Sequence, residues 1–237
     1  MKLNKLAAAL SALSAISIAA PAQAVQFGQT VFFGDSLTDS GSYGARFTTN
    51  PGTVWAQNLA AQLGTSALPF LSAGGTDYAE GGARVTQVPG VGYPQVPATP
   101  VSQQIDAYLA MSPKADPNTL YTIWAGANDI FTQAGLAGAG AISAAQAQAG
   151  VVQAATDEVA QIQRLKNAGA RYIIVPNLPD IGATPLGLSS GQSAAFTGFS
   201  QLYNQTLASG ITAAGLSVIS MNTFALLHEV TANPAQF

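Results

Sequence analysis

The sequence has no cysteine, a single histidine and few charges, with Asp, Glu, Lys and Arg making up only 8% of 237 residues. The missing cysteine excludes disulfides, thiolate metal sites and thiol catalysis together. Its eight basic residues are scattered, so no basic stripe exists to displace counterions from a nucleic acid. An anionic membrane surface is disfavoured for the same reason. Low charge does not mean disorder here, because 48% of the residues are hydrophobic and disordered chains combine low hydrophobicity with high charge. A chain of this length can bury a sizeable core as one domain.

The first 24 residues form a separate object. Lys2 and Lys5 give a positive start, Leu6 to Ala20 is a run of small, apolar and serine residues, and Pro21 ends it. Ala22-Gln23-Ala24 then places small residues where a signal peptidase reads them. A membrane anchor is the competing reading, but the run is short of the ~20 residues that a helix needs to span hydrocarbon. The expectation is therefore a signal peptide over 1–24 and a domain over 25–237, found in the periplasm or outside the cell. The mature chain would begin at Val25, and loss of the two lysines takes the formal charge from −3 to −5. It offers no transmembrane segment, and its oligomeric state is not written in the sequence.

Along the mature chain, short apolar runs alternate with segments of helical period. Strands are expected at Thr30–Phe33, Leu120–Trp124, Tyr172–Val175 and Leu216–Ile219. The first and third are apolar without alternation, as in parallel strands covered on both faces. Val152, Ala155, Val159 and Ile162 recur at spacings of three and four, with Gly169 placed to end a helix. Phe196, Phe199, Leu202, Tyr203, Leu207 and Ile211 repeat the pattern before Gly215. Helices also fit Thr53–Leu63, Val101–Ala110 and Thr223–Val230. Gly64–Thr99 is rich in Gly and Pro and is expected to form loops, whereas Gly135–Gly150 fits either a helix or a loop. The repetition predicts one α/β layer domain with a mainly parallel sheet, whose ligands bind beyond the carboxyl ends of the strands.

Three segments there carry candidate chemistry. After the first strand, Phe33-Gly34-Asp35-Ser36-Leu37-Thr38-Asp39-Ser40-Gly41 puts a serine on a tight turn at the sheet mouth, where a following helix would add N–H donors. Ser36 could equally be a helix cap. After the second strand, Trp124-Ala125-Gly126-Ala127-Asn128-Asp129 offers a side-chain amide, or simply the cap of a short helix through Phe131. Between them, the paired glycines of Asp77-Tyr78-Ala79-Glu80-Gly81-Gly82-Ala83-Arg84 permit close backbone approach, as does a plain turn.

Taken together and in order, these segments resemble the first three blocks of the GDSL, or SGNH, serine ester hydrolases. Pro176-Asn177-Leu178-Pro179-Asp180-Ile181-Gly182 resembles a run found after a later strand in bacterial members. The resemblance covers essentially the whole mature chain and implies a three-layer α/β/α, flavodoxin-like fold. It implies hydrolysis of carboxylic esters through an acyl-enzyme, with Ser36 as nucleophile and no cofactor or metal. The oxyanion hole it implies comprises the backbone N–H groups of Ser36 and Gly82 and the side-chain amide of Asn128. Gly82 is preferred to Gly81 because the family carries an Asn five residues before its glycine. That position is Asp77 here, a departure, since a carboxylate cannot donate as an amide does. Asp35 and Asp129 are expected to shape their turns. By analogy, a lipid or small-molecule ester is the expected substrate rather than an acetylated polysaccharide.

A serine hydroxyl needs a base. The family takes it from a histidine in an Asp-x-x-His block near the C-terminus. The one histidine here, His228, is preceded at that spacing by Ala225 and lies in an apparent helix. The chain is therefore expected to stop before that block, with the C-terminal part of the fold missing. The 237-residue chain should then be a poor esterase with an unreactive Ser36. The alternative is a non-catalytic truncated or binding form of the same fold.

Overall fold

The computed structural model describes residues 25–48, 51–92 and 98–236, so the expected signal peptide lies outside the described residues. Four parallel strands, β1 (Gln29–Gly34), β2 (Thr119–Trp124), β3 (Tyr172–Pro176) and β4 (Ile219–Met221), pair in the order β1-β2-β3-β4. The helices are α1 (Trp55–Gln62), α2 (Val101–Met111), α3 (Ala127–Gly138), α4 (Ala144–Ala168), α5 (Pro185–Ser189), α6 (Ser193–Ala213) and α7 (Thr223–Ala232).

Parallel strands that follow one another in space, joined by right-handed crossovers, must carry their crossover helices on one face. The packing of α4 on both α2 and α6 fits this rule. The core lies under them. Val31, Phe33, Tyr121, Ile123, Ile173 and Val175, at alternate strand positions, meet Ile105 of α2, Val151 and Ile162 of α4, and Tyr203 and Leu207 of α6. On the other face Phe32 clusters with Val54, Ala56, Ala60 and Ala67, and Trp55 of α1 meets Trp124 edge to face. Burial gives Phe32 and Phe33 their continuous apolar character: adjacent residues point to opposite faces, and both faces of β1 are covered. Further along this face Ile219 and Met221 are 45% and 39% exposed.

The Gly- and Pro-rich stretch contains a strip of sheet that composition does not announce. Phe32 N–H donates to Thr76 O at 3.0 Å, Tyr78 N–H to Phe32 O at 2.9 Å and Glu80 N–H to Gly34 O at 3.2 Å. The strip therefore lies parallel to β1 on the side away from β2, and β1 is not an edge. From β1 the chain passes through α1 on one face to this strip. The crossovers from the strip to β2 and from β2 to β3 lie on the other face. The crevice between those opposed connections opens at the carboxyl ends of β1 and β2.

Elsewhere the expected elements form with shifted limits. The undecided Ala/Gly/Gln tract splits between the end of α3 and the start of α4. Ser143 and Gln146 close a capping box at that start, while Gly169, at φ 114°, ends the helix as expected. The fourth strand begins at Ile219 rather than Leu216, because Leu216 and Val218 pack on the helical core and only Ile219–Met221 pair with β3. No helix among the described residues is long and apolar enough to cross a membrane.

Candidate active site

Gly34 ends β1 where side chains have no room: a Cβ there would lie 2.5 Å from Trp124 O. The buried Gln104 of α2 holds this point by accepting Gly34 N–H and donating to Gly34 O, both at 2.9 Å. The chain then turns once, with Thr38 and Asp39 N–H both bonded to Asp35 O at 3.0 Å. The helix expected after Ser36 does not form. Asp39 instead takes up Gly41 and Ser42 N–H at 2.8 and 2.7 Å, which ends the turn. Ser36 is left partly exposed at its tip, and neither its hydroxyl nor its N–H has a partner among the described residues.

The glycine segment is tied to this turn by two buried carboxylates. Asp39 accepts Gly81 N–H at 2.8 Å through its second oxygen. Asp77, at the position of the family's Asn, accepts Ser40 N–H at 2.8 Å and Ala79 N–H at 3.0 Å. Burial pushes the Asp77 carboxyl up to about 7 against the pull of those two N–H groups. With Gly81 N–H committed to Asp39, Gly82 N–H has no acceptor among the described residues. Gly82 has φ 84°, and a Cβ on it would lie 2.1 Å from Val91 O, so glycine is required on both counts.

Gly126, at φ 110°, opens α3 with its Cα against the Tyr203 ring. Asn128 follows in the first turn, buried, donating to Ala83 O at 2.9 Å and, over a longer 3.4 Å, to Asp35 Oδ2. Asp35 also accepts Leu37 N–H at 3.1 Å, and burial pushes its carboxyl up to about 7, with repulsion from Asp129 and Asp39 adding to the effect. Asp129 binds Arg84 Nε at 3.1 Å and Val85 N–H at 3.0 Å, which joins the third segment to the second. Beneath, Glu158 receives the Tyr203 hydroxyl at 2.6 Å, leaves Oε1 without a partner among the described residues, and is pushed by burial up to about 8.

Ser36, Gly82 and Asn128 line one open cleft of about 480 Å³, flanked by Phe47, Val91, Phe131 and Leu186. His228 does not line it. Its Nε2 is 3.0 Å from Asp180 Oδ2, on a ring that is half exposed. Asp180 is buried after β3, where it also accepts Gly182 N–H and the Thr197 hydroxyl. Sequence reading missed this partner, since the two are far apart in the chain, and it missed Gln104, whose only signal was a polar residue on the buried stripe of α2. Among the described residues no group of three or more His, Cys, Asp or Glu could hold a metal.

A family model described as GDSL-like Lipase/Acylhydrolase matches residues 30–229. The chain belongs to the GDSL-like lipase/acylhydrolase family. Among curated relatives, Lipase 1 of Photorhabdus luminescens is 36% identical over 72% of this chain and 25% of its own length. Esterase EstA of Pseudomonas aeruginosa is 31% identical over 100% of this chain and 41% of its own length. The chain thus spans less than half the length of these relatives. Among solved structures, a catalytic mutant of Axe2, an acetylxylan esterase from Geobacillus stearothermophilus, superimposes with a TM-score of 0.52 at 16% identity, covering 90% of this chain and 84% of that one. At that identity the likeness speaks for the shared three-layer α/β/α fold.

Proposed function

We propose that this chain hydrolyses carboxylic esters of lipid or small-molecule type through Ser36 and an acyl-enzyme. The observation that carries the proposal is the convergence of Ser36, Gly82 and Asn128 on one cleft. The similarity to a lipase and an esterase supports the same reaction class.

In the first step Ser36 Oγ attacks the carbonyl carbon while its proton passes to a base. The carbonyl oxygen becomes an oxyanion that accepts from Ser36 N–H, Gly82 N–H and the Asn128 amide. Asn128 can serve by redirecting the hydrogen that now reaches Asp35 over 3.4 Å, while its bond to Ala83 O keeps the amide in place. The raised Asp35 carboxyl is only partly ionised near pH 7, which limits the negative charge beside the oxyanion. Collapse expels the alcohol, which takes up a proton, and water then releases the acid from Ser36 by the same route.

No base for Ser36 lines the cleft among the described residues, and the 237-residue sequence contains no Asp-x-x-His spacing. Turnover by this chain is therefore expected to be slow, as expected of an oxyanion site acting without its base. Imidazole added to the buffer should accelerate it by serving as that base. The test is hydrolysis of p-nitrophenyl butyrate by the chain and by Ser36→Ala. Imidazole-stimulated turnover that disappears in Ser36→Ala supports the proposal, and turnover unchanged in Ser36→Ala overturns it. The leader over 1–24 we read as an export signal, placing the protein in the periplasm or outside the cell.

A further inference from the structure

We infer that the apolar wall beside Ser36, made by Phe47, Val91, Phe131 and Leu186, binds the acyl chain of the ester and selects chains of octanoyl length or longer over acetyl. The inference rests on the reading of Ser36 as the nucleophile.

The four side chains come from four separate segments; two of them are fixed to the candidate oxyanion donors Asn128 and Gly82, and a third packs on Gly81 beside them. Phe131 stands one helical turn beyond Asn128, on the same face of α3, and is held edge to face by Phe196 with centroids 5.8 Å apart. Val91 follows Gly82 so closely that its N–H bonds Gly82 O at 2.8 Å. The Phe47 ring lies on Gly81, where a Cβ would come within 2.4 Å of it. Leu186 faces them from α5, whose start is fixed by Thr184 accepting Gly187 N–H at 3.1 Å. Leu186 is itself 55% exposed, so apolar surface stands open to water at the cleft.

An ester bound at Ser36 has two arms. The alcohol arm leaves, and water must enter in its place to release the acid, so that side has to admit water. The acyl arm stays on Ser36 through both steps and gains from a wall that excludes water. Among the described residues, those lining the cleft besides Ser36 and Asn128 are apolar or glycine, which offers a sugar hydroxyl little to bond and a hydrocarbon chain much to displace water from. Each methylene taken out of water raises affinity about fourfold, so burying half of those that distinguish octanoate from acetate gives on the order of fiftyfold.

The test is equilibrium binding of 11-(dansylamino)undecanoate to the 237-residue chain, read by dansyl fluorescence, with acetate and octanoate as competitors. Octanoate should displace the probe at about fiftyfold lower concentration than acetate. Leu186→Asp should weaken the probe about tenfold or more, by setting a charge where the chain lies. Leu188→Asp, exposed on the same short helix but outside the cleft, should leave binding unchanged. Equilibrium binding of a free carboxylate involves no attack by Ser36, so the result is independent of whether Ser36 reacts. A probe that does not bind, that is displaced equally by both acids, or that binds equally to Leu186→Asp would overturn the acyl site and leave Ser36 to be judged by its own experiment.

Discussion

Asp39 Oδ2 accepts the N–H of Gly81 at 2.8 Å, which leaves Gly82 N–H as the donor of the glycine pair that has no partner among the described residues. The same carboxylate holds Gly41 and Ser42 N–H, so one buried side chain binds the turn of Ser36 to the glycine segment. Asp39→Ala strands these donors and is expected to cost about 2–4 kcal/mol of stability. Urea unfolding measures it; a loss under about 0.5 kcal/mol would mean that water replaces the carboxylate without penalty.

Asn128→Ala should lower kcat on a p-nitrophenyl ester by about 10²–10³ and leave KM nearly unchanged, as removal of one oxyanion donor does. The imidazole-assisted reaction is the one to compare. A variant that keeps wild-type kcat, or that changes KM alone, removes Asn128 from the site.

Stability should fall as pH rises from about 4 to about 8. Asp35 and Asp77 are raised by burial to about 7 and Glu158 to about 8, all above their unfolded values. In that window the folded chain binds more protons than the unfolded one, so these groups contribute their full stability below about pH 4 and lose it as pH passes 7 to 8. The summed change is on the order of 10 kcal/mol at most. Glu158→Gln should flatten the upper part of the curve, because the amide keeps a neutral partner for Tyr203. Chemical unfolding at pH 5, 7 and 8 checks this, and equal stability at all three would contradict it.

His228→Ala should cost no more than about 1 kcal/mol, since the ring is half exposed and Asp180 keeps its other two partners. It should leave reaction at Ser36 unchanged. Fast reaction at Ser36 without imidazole, abolished by His228→Ala, would instead make His228 the base.

N-terminal sequencing of material exported by a bacterial host should find Val25 first, after removal of the segment ending Ala22-Gln23-Ala24. Full-length protein retained in the inner membrane would contradict export.

Most of the sheet and the candidate site could be read from the sequence because their signals are local. Apolar runs such as Val31-Phe32-Phe33 record burial on both faces, and the segments holding Ser36 and Asn128 each follow a strand directly. What stayed hidden depends on partners distant in the chain. The strip at Thr76–Glu80 joins the sheet through backbone bonds alone, within glycine-rich sequence that gives no strand pattern. The turn after Ser36 stops short of a helix because the Asp39 side chain captures the next N–H groups. The start of α4 was legible in principle, as Ser143 and Gln146 form a capping box, but the alanines and glycines around it blurred the period. Asp180 and His228 meet only once β3 and α7 are placed side by side.

The central claim, that Ser36 is the nucleophile of an oxyanion site formed with Gly82 and Asn128, is tested most directly by fluorophosphonate labelling followed by peptide mapping. The predicted result is a single slow adduct on Ser36, accelerated by imidazole, slowed in Asn128→Ala and absent in Ser36→Ala. An adduct on another residue, or none on Ser36 even with imidazole present, would contradict it.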